Sequence, residues 1–322
     1  ESFAAYFNTP TVPEAKYALD YQMARGINFF EFMFWSADAN GRGWLTQPGI
    51  KDLNAYANRA SYLLSQGVPG ARVAVYYPQA SLWMRDSQIA VRNRRISHLL
   101  LTHHYDFDYV DDDALQEGIT MGNGWMENRS GQQWQTLVIP SCDVMPEATW
   151  NIIKKFRARG GKVVFWGSLP YLLAQRSYKD SKAFPLDEVG AAWESQDDFT
   201  ATIASAMPRQ EIEFVNDQKP ELNTRPRRGD EPKHMSYDQT QDISYHHRTL
   251  PEGDIYFLFN EGRRQQRFYA ALDNVGTVKS YDGYTGKTQL LTTTVKNGRT
   301  WVHLEMKPWE SVMLVLEHGT KT

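Results

Sequence analysis

The sequence predicts an α/β fold followed by an all-β one, and three observations carry that prediction. The run Gly-Ile-Asn-Phe-Phe-Glu-Phe-Met-Phe-Trp at 26–35 is apolar almost throughout and closes on a polar loop at 36–44. A strand of that composition is covered on both faces, and such strands belong almost only to α/β folds. Between about 68 and 209, strand-like and helix-like stretches alternate with glycines between them, the pattern of an open, mostly parallel sheet of flavodoxin-like type. From about 210 onward there is no helical period. Short alternating stretches divided by Gly262, Gly276, Gly283, Gly286 and Gly298 read there as a β-sandwich.

Taken in order, residues 12–25 read as a helix, with Pro13 in its first turn, Glu14 next, and Ala15, Leu19 and Met23 on one face. Gly26 ends it and the apolar run follows directly, so residues 1–35 have the order loop, helix, strand: one step of an α/β barrel or open sheet. Pro48 and Gly49 open a second helix whose apolar positions Ile50, Leu53, Ala57, Ala60, Leu63 and Leu64 keep the 3.6-residue period, with Gly67 as its cap. A strand, a helix and a strand are expected at 72–78, 89–101 and 105–110, and a hairpin at Asn123-Gly124. A strand at 136–140, a helix at 146–159 capped by Gly160 and Gly161, and a strand at 162–167 follow. The all-β strands are expected at 243–247, 254–260, 266–272, 277–281, 289–295, 300–305 and 311–317. Residues 219–233, with Pro220, Pro226 and Pro232 among clustered charges, read as a mobile loop or linker. The domains so drawn are 1–67, 68–209 and 210–322.

A chain of 322 residues, 41% of them hydrophobic, can build two or three cores. Its net charge of −3 supplies no basic stripe for nucleic acid or for an anionic membrane. No run approaches the roughly 20 apolar residues of a membrane span. No basic and apolar leader opens the chain, so any export signal lies upstream or has been removed. The start at Glu1-Ser2-Phe3, without Met or a capping device, is consistent with a piece of something longer. Aromatics make up 13% of the residues, with ten Trp and seventeen Tyr, a composition that suits neutral ring-shaped ligands as well as large cores. The lone Cys142 excludes an intrachain disulfide.

Within 26–35, Glu31 is the exception. A carboxylate in so apolar a strand costs several kcal/mol unless paired, so it either faces a polar barrel lumen and a ligand or anchors a local network. Cys142 follows a strand, but its neighbours Ser141 and Asp143 are not the small residues of a nucleophile elbow, and it reads as packed and inert. The turn after Tyr77 lacks the glycines that cradle a phosphate, which argues against a nucleotide or flavin. The adjacent pairs His103-His104 and His246-His247 point to opposite faces of a strand and make no metal clamp. Asp106, Asp108, Asp111, Asp112 and Asp113 could offer oxygens to calcium, but they lack EF-hand spacing, and a solvated strand end with helix caps explains them better.

Several stretches, in order, resemble the C-terminal half of the large glycoside hydrolases of family 106, the α-L-rhamnosidases and their relatives. They are Glu1-Ser2-Phe3, Lys16-Tyr17-Ala18-Leu19-Asp20, Gly26-Ile27-Asn28, Tyr56-x-x-Arg59-x-x-Tyr62 with Leu63 to Gly67, 73–78, 106–111, 137–140 and 161–164. The resemblance implies the end of a (β/α)8 barrel, a flavodoxin-like domain of the glutamine-amidotransferase kind, and a C-terminal β-sandwich, a layout shared with family 42 β-galactosidases. It makes Glu1 the glutamate that ends barrel strand seven, a usual place for one of the two catalytic carboxylates, and 27–35 strand eight. Glu31, Trp35, Asp38, Asn40 and Trp44 are then expected to bind substrate at one rim, with Trp35 and Trp44 stacking and with Lys16 and Asp20 on the outer helix. Where the family carries a histidine near the end of this strand, this sequence has Glu31, Phe32 and Trp35.

The resemblance further implies an oligosaccharide or polysaccharide substrate, no cofactor, and a periplasmic or extracellular location. The second carboxylate and the missing strands would come from an N-terminal barrel portion or a partner chain, and this chain alone is expected to be inactive. A non-catalytic glycan-binding or assembly module is the alternative.

Overall fold

Thr11 opens the first helix with a capping box. Its hydroxyl oxygen accepts the Glu14 N–H at 3.4 Å, while the Glu14 carboxylate accepts the Thr11 N–H at 2.8 Å, which satisfies donors the first turn otherwise leaves bare. In the computed structural model, which describes residues 2–3, 10–32, 47–84, 87–175, 178–195, 198–217 and 239–319, this helix is α1 (Val12–Met23), with Ala15, Leu19, Asp20 and Met23 buried. Helix α2 (Ile50–Leu64) buries Ile50, Leu53, Tyr56, Ala57, Ala60 and Leu64, an apolar stripe at helical spacing. A two-residue strand, β1 (Val68–Pro69), follows it. The chain forms two compact units, one of Gly70–Gln210 and one of Glu1–Pro69 together with Glu211–Thr322.

In the unit of Gly70–Gln210, five strands form one parallel sheet. They are β2 (Val73–Tyr76), β3 (Phe107–Val110), β4 (Thr136–Pro140), β5 (Lys162–Trp166) and β6 (Ala192–Glu194), in the order β6-β5-β4-β2-β3. Helices α3 (Gln79–Trp83), α4 (Ser87–Thr102), α5 (Asp112–Glu117), α6 (Glu147–Ala158) and α7 (Ala201–Ala206) run between and after them. The strands read as continuous apolar runs because both faces are covered. Ala74, Leu137, Ile139 and Phe165 pack with Trp150, Ile153 and Phe156 of α6, while Val73, Val75, Val138 and Val164 pack with Ile96 and Leu100 of α4 and Ile203 of α7. The hairpin around Asn123-Gly124 pairs Thr120–Met121 with Met126–Glu127.

In the other unit, nine further strands join β1: β7 (Ile212–Asn216), β8 (Ile243–Leu250), β9 (Gly253–Asn260), β10 (Gln266–Leu272), β11 (Gly276–Tyr281), β12 (Thr288–Leu290), β13 (Thr293–Lys296), β14 (Arg299–Met306) and β15 (Ser311–His318). They form two antiparallel sheets, β1-β8-β9-β15-β11-β12 and β7-β10-β14-β13. One core lies between the sheets, with Tyr256, Leu258 and Leu314 against Phe268, Ala270 and Val302. A second lies on the other face of the six-stranded sheet, where Ile255, Phe257, Phe259 and Met313 meet Leu19 and Met23 of α1 and Leu53 and Leu64 of α2. The result is three layers: helices, sheet, sheet. Strand β9 is buried at every position because it carries both cores.

Two expectations need correction. The single strand read at 289–295 is two strands, and they belong to different sheets, so the chain crosses from one sheet to the other between Leu290 and Thr293. The doubly covered strand at 26–35 is not found over 27–32. That segment makes one isolated parallel bridge, Ser2 to Phe32, and only one of its faces is covered. Residues 33–35 and 219–233 lie outside the described residues.

Candidate functional site

The segment after α1 is fixed from one side. The Ile27 N–H donates to the Gln22 carbonyl at 3.1 Å, the Asn28 side-chain amide donates to the Leu64 carbonyl at 3.1 Å, and the Ser2 N–H donates to the Glu31 carbonyl at 2.7 Å. Phe30 and Phe32 pack into the core of α1 and α2, with Phe3 and Phe32 ring centroids 5.2 Å apart. Side chains alternate along an extended chain, so Ile27, Phe29 and Glu31 fall on the face turned away from the helices. All three are exposed, Ile27 at 45% and Phe29 at 84%.

Glu31 is an exposed carboxylate on the helix-free face. The remaining site expectations, Glu1, Trp35, Asp38, Asn40 and Trp44, lie outside the described residues. Ser2 and Phe32, joined by that single parallel bridge, lie on either side of α1 in the sequence.

A feature the sequence reading placed only on an outer helix is the polar knot under α1. Asp20 has no exposed surface. Its carboxylate accepts from Lys16 Nζ and from the Tyr56 hydroxyl at 2.5 Å, and Ser311 Oγ joins Lys16 Nζ at 2.9 Å and the Tyr56 oxygen at 3.0 Å. Burial pushes the Asp20 carboxyl above the usual range, against the pull of the Lys16 ammonium and its hydrogen bonds. Burial also pushes the Tyr56 phenol up, and the Asp20 charge adds to the shift. The ring of Tyr284 stacks on Tyr56 at 4.9 Å and 25°, and burial, then the charges of Asp20, Asp52 and Asp282, raise its phenol to about 12. Beside this knot is a cavity of about 240 Å³, with Lys16, Ser280, Tyr284, Glu310 and Ser311 in its wall. The signal in the sequence was Asp20 sitting on the apolar stripe of Ala15, Leu19 and Met23, one turn after Lys16.

Elsewhere, Cys142 is fully buried and its thiol is pushed up by burial, which disfavours the reactive thiolate. Asp111 caps α5 by accepting the Ala114 N–H at 2.9 Å, and Asp112 accepts from Tyr76 at 2.8 Å and Thr149 at 2.6 Å. The His103 ring lies parallel to Phe199 at 4.0 Å. Among the described residues, no group of three or more His, Cys, Asp and Glu could hold a metal ion. A larger cavity, about 570 Å³, lies along edge strand β3, with Asp108, Asp113, Glu117, Asn128 and Trp134 in its wall.

Several solved glycoside hydrolases share this mixed α/β architecture with several sheets. A rhamnosidase from Novosphingobium sp. PP1Y matches with a TM-score of 0.66 and 17% identity, over 98% of this chain and 30% of that one. An α-L-fucosidase isoenzyme 2 from Paenibacillus thiaminolyticus matches with a TM-score of 0.59 and 12% identity, over 98% and 59%. An exo-carrageenase of family 42 from Bacteroides ovatus matches with a TM-score of 0.55 and 14% identity, over 96% and 39%. The chain belongs to the α-L-rhamnosidase family, glycoside hydrolase family 106, whose sequence profile matches residues 23–293. It spans about a third of the length of the Novosphingobium rhamnosidase. No curated protein matches it.

Proposed function

We propose that this chain is the C-terminal portion of a glycoside hydrolase that acts on plant or microbial polysaccharide, with α-L-rhamnosidase-like specificity. In this reading the segment at 27–32 is the last strand of a (β/α)8 barrel. The other strands come from polypeptide outside this sequence, an N-terminal barrel portion or a partner chain. The observation that carries it is the bare face of that segment: Ile27 and Phe29 are exposed on the side opposite α1 and α2, which in such a barrel is the interior. Leaving Phe29 in water forgoes roughly 1.5–3 kcal/mol of burial, so a covering layer is favoured. Glu31 shares that face, and a position inside the barrel near the strand's C-terminal end suits a substrate contact.

Glu1 then supplies one of the two carboxylates of glycoside hydrolysis, and the second lies outside this sequence. Trp35, Asp38, Asn40 and Trp44 complete the sugar site beyond the strand end, Trp35 and Trp44 as stacking rings. Hydrolysis between two carboxylates calls on no cofactor. The sheet order of the Gly70–Gln210 unit, in which the first strand sits between the second and third, supports a flavodoxin-like domain. The two antiparallel sheets around one core support the β-sandwich, and a polysaccharide substrate favours a periplasmic or extracellular location.

The test is hydrolysis of aryl α-L-rhamnoside and aryl β-D-galactoside by the 322-residue chain and by the full reading frame that contains it. Expected are no turnover by the chain alone, rhamnoside turnover by the longer protein, and a 10²- to 10⁴-fold fall in kcat for Glu1→Gln in the longer protein, the usual scale for a lost proton-transfer group. Galactoside turnover would assign the family 42 specificity instead. Full activity of Glu1→Gln would remove that residue from the mechanism.

A further inference from the structure

Ser2 is only 4% exposed, and its N–H and hydroxyl are both bonded. The N–H, which belongs to the amide joining Ser2 to Glu1, donates to the Glu31 carbonyl at 2.7 Å. The hydroxyl donates to Gln22 Oε1 at 3.2 Å. A buried hydroxyl needs such a partner, and Gln22 is a fixed one. Its side-chain amide donates to the Ala18 carbonyl one turn back at 3.2 Å, which holds the acceptor oxygen in place. The backbone of Gln22 secures the chain on the other side of α1. That helix ends in a Schellman turn with Gly26 at φ 85, in which the Gln22 carbonyl accepts the Ile27 N–H at 3.1 Å and the Met23 carbonyl accepts the Gly26 N–H at 3.0 Å. One residue therefore grips the chain before the helix through its side chain and the chain after it through its carbonyl.

Phe3 follows directly and takes φ 65, a left-handed conformation that bulky side chains seldom adopt. Its ring meets that of Phe32 at 5.2 Å and 56° and packs on the core of α1 and α2. Strained conformations persist where their surroundings over-determine them, and they gather at functional positions. Here the strain and the buried, doubly bonded serine fall on the two residues that follow Glu1. The same backbone amide links that stretch to the carbonyl of Glu31, the other carboxylate assigned to the sugar site.

We propose that Gln22 and Ser2 are positioning residues for glycoside hydrolysis, which fix the backbone that carries Glu1 and tie it to the segment that carries Glu31. This rests on the reading of Glu1 as a catalytic carboxylate. Both residues act through Glu1, and a misplacement of about 1 Å costs on the order of 100-fold in rate.

Steady-state kinetics on the longer protein, with whichever of aryl α-L-rhamnoside and aryl β-D-galactoside it hydrolyses, test this. Ser2→Ala removes one oxygen and is expected to lower kcat about 10- to 100-fold while KM changes by less than about threefold, the pattern of an interaction felt in the transition state. In a Glu1→Gln background the same substitution is expected to cost nothing further, since the carboxylate it positions is gone. Gln22→Ala should lower kcat as Ser2→Ala does, and Gln22→Glu, which leaves Ser2 an acceptor oxygen, should restore most of the loss. An equal fall in both backgrounds means that Ser2 supports the fold rather than Glu1 and overturns the proposal, as does a kcat unchanged by Ser2→Ala; with Glu1→Gln impaired, the hydrolytic reading survives either result. Full activity of Glu1→Gln, or no turnover of either glycoside by the longer protein, defeats that reading and the proposal with it. Should Ser2→Ala fail to fold, the two Gln22 variants decide: recovery in Gln22→Glu over Gln22→Ala sustains the proposal, and equal rates overturn it.

Discussion

His247 Nε2 lies 2.8 Å from Asp254 Oδ1 across the β8–β9 ladder, with both side chains buried. His318 Nε2 at 2.8 Å and the Asn274 amide at 2.7 Å hold the other oxygen. Burial pushes the Asp254 carboxyl up, but the hydrogen bonds and charge of His247, with His318 and Asn274, outweigh it and hold the carboxyl at about 2. A depressed carboxyl contributes stability that is present above its unfolded pKa and is lost as pH falls through the folded value. The window is therefore about pH 4 down to 2, and the contribution is about 2 kcal/mol. Asp254→Asn should lower stability at neutral pH and flatten that acid limb. Urea titrations across pH 2–7 measure both effects, and an unchanged limb in the variant would show that Asp254 is not its source.

Gly67 has φ 60 and an added Cβ would stand 2.1 Å from the Thr249 carbonyl oxygen, whereas Gly298, at φ 69, has nothing within 4 Å. Both alanine variants incur the left-handed backbone cost of roughly 1–2 kcal/mol, but only Gly67→Ala must also displace a strand. Gly67→Ala is expected to be the more destabilising by at least about 1 kcal/mol, a difference that paired thermal melts resolve.

Phe257 on β9 is wholly buried against α1 and α2, while Phe29 is 84% exposed. Phe257→Ala should cost about 3–5 kcal/mol. Phe29→Ser should stay within about 0.5 kcal/mol in this chain and cost more in the longer protein proposed above, where the barrel would cover it. Equal costs for Phe29→Ser in both settings would count against that barrel.

Cys142 should not react with a disulfide reagent until the protein unfolds, because its thiol is fully buried and its pKa is raised. Prompt labelling of native protein, followed by absorbance, would contradict this.

Period and punctuation made most of the scaffold legible. Ala15, Leu19 and Met23 of α1, the apolar runs of β2, β4 and β5, and the glycines between the later strands all gave their elements away. Short elements did not. Helices α3, α5 and α7 run five or six residues, too few for a period to show. The run at 26–35 misled because its composition reports what a strand can bury, whereas exposure of Ile27 and Phe29 depends on which neighbours are present. Asp20 was legible only as an acid on the apolar stripe of α1, because the partners that complete its knot, Tyr56 and Ser311, are distant in sequence.

Strand β9 receives Leu53 and Tyr56 on one face, yet its own residues follow them by about 200 positions, with the whole Gly70–Gln210 unit between. On a ribosome adding roughly 5–20 residues per second, that separation is a wait of about 10–40 s. For that interval the faces of α1 and α2 that β9 covers stay bare of it, while the Gly70–Gln210 unit, emerging in between, carries all five strands of its own parallel sheet. For this pairing the order of synthesis therefore runs against the order of assembly, and the apolar faces of α1 and α2 are the ones a chaperone would shield until β9 arrives.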